Sequence, residues 1–333
     1  MLTLVLLSCN TQDKSTKVSD VKIPETESFF LNSFPGQMWS DGSRLGILDR
    51  FSSNIGFYKL PELELSRVIG IEDLPINKMY DIADSHFDSC FPFLEISENP
   101  LFIKGLKIET FIEKEKKIIL WCSMSIPFYG GGHQRVWRRI SFVCEFSSEI
   151  ENNSNSLVWL INESNMDGFL YGLYSKSDFY WDTENAIFPV ISRSSKIANF
   201  AWFTLDGDEL LFEKMLSFNE VAFNMEGYGF NSEMSFRNGE VICKARNSYA
   251  KLNNENFIFE ELNMDLYTGL RLNFPTTKNR FIYEVKIDFS DSILKIDGRE
   301  NGVPVYLNKI ENEQVYTVFI ENDNYFLRTM QFN

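Results

Sequence analysis

Two histidines, His86 and His133, are the only imidazoles in the chain, and that scarcity bounds the chemistry. A multi-histidine metal centre is excluded, and a Ser–His–acid triad would have to use one of these two. His133 sits in the glycine-rich stretch "PFYGGGHQR", residues 127–135. Glycine without a Cβ lets a ligand approach the backbone closely, so Tyr129, His133 and Arg135 are the candidate ligand-binding side chains of this loop. An exposed histidine on a loop with no task is the competing reading. His86 lies in "YDIADSHFDSCF", among Asp81, Asp84 and Asp88. Neighbouring carboxylates favour an imidazolium, or could hold a hard cation with help from carbonyls. Their spacing does not match a calcium-binding EF-hand loop, and the stretch reads as a turn-rich crossing between sheets.

Other chemistries lack their signatures. The sequence contains no GxSxG elbow, no HExxH and no Walker loop. Carboxylates cluster at Asp206/Asp208/Glu209 and Asp288/Asp291, on turn signals where Asp serves local hydrogen bonding. A glycosidase needs two carboxylates facing each other across a cleft, which spacing between separate strands does not reveal. No catalytic residue, metal or cofactor is therefore assigned. The span "FLYGLYSKSDFYWD" gathers Phe169, Tyr171, Tyr174, Phe179, Tyr180 and Trp181, which suit packing between stacked sheets better than a sugar- or peptide-stacking platform.

The cysteines are Cys9, Cys90, Cys122, Cys144 and Cys243, none in a CxxC pair, so structural zinc and thioredoxin-like redox chemistry lose their usual signature. Cys122 and Cys144 lie on two apolar runs flanking the 127–135 loop, and a hairpin folded there brings them roughly opposite each other. A disulfide and two buried thiols are both open.

The elements that must position these residues are strands almost throughout. A chain of 333 residues, 44% hydrophobic and 15% aromatic, buries a large core. Its formal charge of −15 repels phosphate backbones and argues against a nucleic-acid partner. The trio Arg135, Arg138 and Arg139 reads as a solvated strand face. Leu45–Asp49, Ile55–Lys59 and Leu63–Ile69 are short runs of β-formers separated by turn residues, which predicts a meander. Asp206-Gly207 predicts a type I′ hairpin, and Asn238-Gly239 and Asn322–Asn324 predict further tight turns. Lys114–Lys116 and Asn301-Gly302 add turn signals. "DELLFEKMLSF" is the best helical candidate, and the hairpin reading competes with it. No linker divides the chain, so the expectation is an all-β domain of short antiparallel strands over residues 29–333. At this length a β-propeller of four-stranded blades absorbs the strands without long exposed edges.

The stretch "WSDGSRLGILDRFSSNIGFYKLPEL", with Asn54-Ile55-Gly56-Phe57-Tyr58 after a glycine-containing turn, resembles the first blade of the TolB-like six-bladed β-propeller lipoproteins of Gram-negative bacteria. Upstream, Leu6-Leu7-Ser8-Cys9 resembles the lipobox of bacterial lipoproteins, whose cysteine becomes lipidated and then N-terminal. The apolar run Leu2–Leu7 is too short to span a bilayer, which takes about 20 residues. No basic segment precedes it, which is expected if the true start lies upstream of Met1. Residues 1–8 are thus expected to be part of a signal peptide and 9–28 a polar, flexible tether.

The resemblance implies a lipid-anchored protein of the bacterial cell envelope, expected at the outer membrane on its periplasmic or surface face. It is expected to bind a glycan, peptide or protein ligand. A carbohydrate-active hydrolase or lyase on the same scaffold and a structural envelope-assembly lipoprotein are the alternatives. Expressed from its upstream start, the protein is expected to incorporate radioactive palmitate and partition into detergent. Cys9→Ser should be soluble and folded, and labelling that persists in that variant would overturn the assignment.

Overall fold

A computed structural model describes residues 17–24, 35–40, 43–49, 51–87, 105–129, 135–147, 156–163, 166, 171–173, 177–192, 200–217, 230–237, 240–245, 248–262, 282–286, 293–297, 308–311, 314–321 and 324–331. Within them the protein is mainly β, with one α-helix. β1 (Lys17–Lys22) is followed by β2 (Pro35–Ser40), β3 (Arg44–Asp49), β4 (Asn54–Lys59) and β5 (Glu64–Ile69). The last four form an antiparallel meander in chain order, of which the pattern predicts β3, β4 and β5.

A single 3-10 turn (Ile71–Asp73) leads into α1 (Ile76–His86). This is a correction, because the aspartates of the segment mark it as turn-rich. Ile76, Met79, Tyr80 and Ala83 recur at the three-and-four spacing of one helix face. Met79, Tyr80 and Ala83 are buried, while Asp81 and Asp84 stand exposed on the other side. Asp88 lies outside the described residues.

The next strands are β6 (Lys107–Lys114), β7 (Lys117–Tyr129), β8 (Arg135–Ser147), β9 (Leu157–Asn162), β10 (Tyr171–Leu173), β11 (Tyr180–Trp181), β12 (Asn185–Ser192), β13 (Phe200–Asp206) and β14 (Glu209–Leu216). Then come β15 (Phe230–Arg237), β16 (Glu240–Ala245), β17 (Ser248–Asn253) and β18 (Ile258–Leu262). Hydrogen bonding joins β6 to β18 into one curled 13-stranded sheet. Two seams join its antiparallel groups: a parallel pairing of β14 with β9 and a two-residue pairing of β12 with β15. β19 (Ile282–Lys286) and β20 (Ile293–Asp297) form a hairpin. β21 (Asn308–Glu311), β22 (Gln314–Glu321) and β23 (Asn324–Gln331) complete a four-stranded sheet in the order β1-β23-β22-β21.

β1 corrects part of the predicted tether. Composition marks 9–28 as flexible, yet Lys17–Lys22 pairs residue for residue with Phe326–Gln331 and Ile23 is fully buried. The strand exists because β23 offers it an edge, and composition carries no record of that edge. Residues 1–16 and 25–28 lie outside the described residues.

Strand alternation divides the side chains between successive cores. Leu45 and Ile47 of β3 pack with Tyr58, Tyr316 and Leu327, whereas Leu48, Ile55 and Phe57 face Phe111, Leu120 and Phe142. On β7, Leu120, Cys122, Met124 and Ile126 enter that second core, while Ile119 and Trp121 face a third with Phe179, Phe188 and Phe203. A fourth core joins Ile187 and Phe200 to Met234, Val241 and Leu252. These sheets are therefore covered on both faces, which is why "KIILWCSMSI" reads as a continuous apolar run. The described part of the aromatic span is core: Phe179, Tyr180 and Trp181 are buried.

The turns refine the sequence reading. "DELLFEKMLSF" contributes a strand, β14. Asp206 pairs with Glu209, so the two turn residues are Gly207 and Asp208. Gly207 has φ +58° and Asp208 has no positive φ, the pattern of a type II′ turn instead of the predicted I′. Asn238-Gly239 and residues 322–323 lie outside the described residues, although Arg237 pairs with Glu240 and Glu321 with Asn324 across them. The β6–β7 turn has the I′ signature, with Glu115 at φ 51° and Lys116 at φ 63°, neither a residue that favours it. Cys122 pairs with Phe142 and Cys144 with Leu120, a diagonal offset, and both thiols are free and buried.

Replacing Glu115-Lys116 by Asn-Gly is expected to raise stability by roughly 1 kcal/mol, because a left-handed conformation costs non-glycine residues about that much each. Gly46 lies where a Cβ would come 2.8 Å from Phe111 Cε2, across the packed β3 and β6. G46A is expected to lower stability by about 1–3 kcal/mol through overpacking. Thermal and denaturant unfolding check both.

Candidate functional site

β2, β6, the residues just before β11, and β15 are joined by a belt of largely buried polar contacts. Gln37 of β2 accepts at Oε1 from the Thr110 hydroxyl and from the Phe111 backbone N–H (2.9 Å), both on β6. Its Nε2 donates to Asp178, just before β11. Next to Asp178, the Ser177 hydroxyl both donates to the Met234 carbonyl (2.9 Å) and accepts from the Met234 N–H (2.6 Å) on β15. A belt so fully satisfied holds strands in register, and its chemistry is structural.

A different polar group lies at the end of the sheet where β6 begins. Ser123 of β7 donates to Glu109 Oε1 on β6 (2.6 Å) and accepts from Arg139 Nε on β8 (2.9 Å). Arg139 also forms an ion pair with Glu109. Ser141, opposite Ser123 in the β7–β8 register, hydrogen-bonds Glu163, which follows β9. Burial pushes the Glu163 carboxyl above the usual range, and the Ser141 hydroxyl only partly opposes this. Burial likewise lowers the Arg139 guanidinium from its ordinary value. The cluster thus combines an ion pair, two hydroxyls and a carboxyl biased toward its neutral form.

β7 and β8 continue beyond this cluster to the pair Tyr129↔Arg135. Of the three predicted ligand-binding residues, Tyr129 and Arg135 thus close the hairpin, while His133, with 130–134, lies outside the described residues. Arg138 and Arg139 are both exposed, but alternation along β8 puts them on opposite faces, so the arginines do not form the one solvated face expected, and Arg139 is tied to Glu109. Sequence reasoning missed Glu109, Ser123, Ser141 and Glu163. The available signal was the alternation Trp137-x-Arg139-x-Ser141, which puts all three on one strand face.

His86 meets a partner that the sequence does not bring near it. Its Nδ1–H donates to Glu209 Oε1 at 2.7 Å, and Asn162 Nδ2 donates to Glu209 Oε2 at 3.1 Å, which ties α1, β9 and β14 together. The nearby aspartates are not the partners. A carboxylate-held imidazole is the orienting half of a general base. Among the described residues, however, no hydroxyl or thiol is hydrogen-bonded to its other nitrogen. Asp206 and Asp208 are exposed beside the turn, and Asp288/Asp291 and Cys9 lie outside the described residues.

No family model matches the chain, and no curated protein matches it. Among solved structures, a luciferin-regenerating enzyme is similar at a TM-score of 0.35 and 9% identity, with 95% of each chain covered. A protein of Bacteroides fragilis described as exported gives a TM-score of 0.36 at 9% identity, covering 96% of this chain and 95% of its own. Likeness at this level carries no argument about fold or activity. No helix among the described residues is long and apolar enough to cross a membrane.

Glu163 yields a pH prediction. Its carboxyl has a higher pKa folded than unfolded, so the folded state binds more protons between the two values and stability falls as pH rises through that window. Glu163→Gln removes this loss. The variant is expected to melt higher than the parent at pH 7 to 8, and the gap should close as pH falls to the ordinary glutamate range, about 4.3. Melting curves across pH measure it.

Proposed function

We propose that this protein is an envelope-tethered, TolB-like six-bladed β-propeller that binds a ligand at the mouth of its central channel. The observation that carries the proposal is the inner belt. Gln37 of β2 bonds both Thr110 of β6 and Asp178 just before β11, and the adjacent Ser177 bonds Met234 of β15, as segments around a common axis would be linked. β2 also lies beside both β6 and β21. Six groups follow one another along the chain: β2–β5, β6–β9, β10–β14, β15–β18, β19–β20 and β21–β23. β1 completes the last group from the opposite end of the chain, and such closure secures a ring against opening.

A ligand is favoured at the end where β7 and β8 run on past their neighbours, next to the Glu109–Ser123–Arg139 group. Loops and hairpin ends on a rigid scaffold are where binding residues gather. The lipobox-like Leu6-Leu7-Ser8-Cys9 supports anchorage in the envelope, with the outer membrane as the favoured site.

The full chain is to be screened on glycan and peptide arrays, together with a variant in which residues 130–134 are replaced by Asn-Gly. Tyr129 and Arg135 remain paired in that variant, so its melting temperature should be nearly unchanged while binding is lost. Unaltered binding by the shortened hairpin would overturn the proposed location.

A further inference from the structure

The β7–β8 hairpin has two faces of opposite character beyond the point where β6 and β9 end. β6 starts opposite Ser123, and the pairing of β9 with β8 stops at Phe142↔Leu160. Past these points one face still belongs to the core, with Met124, Ile126 and Ile140 buried. The other face carries Trp137, 41% exposed, in line with Arg139 and Ser141 along β8. Isolated exposed apolar residues are ordinary on a protein surface. Here the indole stands at the edge of a hydrogen-bonded array of Glu109, Ser123, Arg139, Ser141 and Glu163, within a fold that buries most of its described aromatic rings.

The geometry points to this face as a subsite for a neutral glycan, with Trp137 as the stacking platform and Arg139, half exposed and held in place by the largely buried Glu109 and the buried Ser123, as the hydroxyl-recognising group. The inference rests on the ligand-binding reading above and names its ligand class. A pyranose ring presents apolar C–H groups on its face and hydroxyls around its rim. An indole takes the former, while a guanidinium held in fixed geometry donates to neighbouring hydroxyls. Charge selects among ligands. Arg139 and Glu109 offset each other, and burial biases Glu163 toward its neutral form, so the array has no strong net charge to offer an ionic ligand. The whole chain at −15 repels acidic polymers. An uncharged polyhydroxylated chain meets neither obstacle.

The test titrates the full chain with neutral hexasaccharides of glucose, xylose, mannose and N-acetylglucosamine, read by tryptophan fluorescence and calorimetry. One of these is expected to bind. Trp137→Ala should weaken that binding about tenfold, which is about 1.4 kcal/mol and within the range of one ring stack, and Trp137→Phe should restore most of it. Both variants should stay folded, because Trp137 belongs to none of the four hydrophobic cores. Binding to Trp137→Ala at parent affinity would overturn the subsite. A parent that binds peptides but no saccharide would overturn the glycan and leave the binding reading standing, while a parent that binds nothing on either array would overturn both.

Discussion

The pairing of β1 with β23 is the most demanding constraint in the described structure, because it joins residues 308 positions apart. Closing a loop of that length costs about 5 kcal/mol in chain entropy. The bidentate contact of Arg328 with Asp20, at 2.7 and 2.8 Å, contributes about 1 kcal/mol for a partly exposed pair and does not offset that alone. What does offset it is the run of paired residues from Lys17↔Gln331 to Lys22↔Phe326 together with the burial of Ile23, Tyr325 and Leu327. Ile23 donates its backbone N–H to Tyr325, and Pro24 accepts from the Tyr58 hydroxyl of β4, so the closing strand is also tied to the meander beside it. Closure is favourable only when the sheets between are already stacked, which makes it cooperative.

Stacking in turn rests on sheets that are apolar on both faces. Each interior strand contributes alternate residues to two cores, so the order of the cores follows the order of the sheets: Tyr58 and Tyr316 in one, Phe57 and Phe111 in the next, then Trp121 and Phe188, then Phe200 and Val241. Close approach at one of these interfaces leaves no room for a side chain at Gly46. The polar belt of Gln37, Thr110 and Asp178 then sets the register of the inner strands. This rigidity is what lets β6, β7 and β8 carry the Glu109–Ser123–Arg139 group in fixed geometry at the end of the sheet. It also places Glu209 within reach of His86, across α1 and β14.

Much of the fold was legible locally. β3 to β5 appear as a meander where "RLGILDRFSSNIGFYKLPELELSRVIG" alternates between β-formers and turn residues, and the predicted strand ends agree to about one residue. The long hairpin about residues 127–135 also appears, although its register sets Cys122 diagonally from Cys144. Two segments misled. The aspartates of 81–88 concealed a helix whose apolar spacing was present in Ile76, Met79, Tyr80 and Ala83. The polar composition of 9–28 concealed β1, since an edge strand paired on one side needs few apolar side chains of its own. The site was legible only in part: the loop drew attention to Tyr129 and Arg135, while the array at its root went unread.

By itself the sequence determined the strand-rich class, the turns of the first meander and at Lys114–Lys116, the net negative charge and the aromatic interior. Each of these follows from interactions spanning a few residues or from composition. The tertiary structure decided which strands lie side by side, and with that the Ser123–Glu109, His86–Glu209 and Asp20–Arg328 contacts, whose partners are 14, 123 and 308 residues apart. Alternation tells which residues share a face of one strand. It carries no information about which strand comes to face them, because that choice is made by the collective burial of whole sheets.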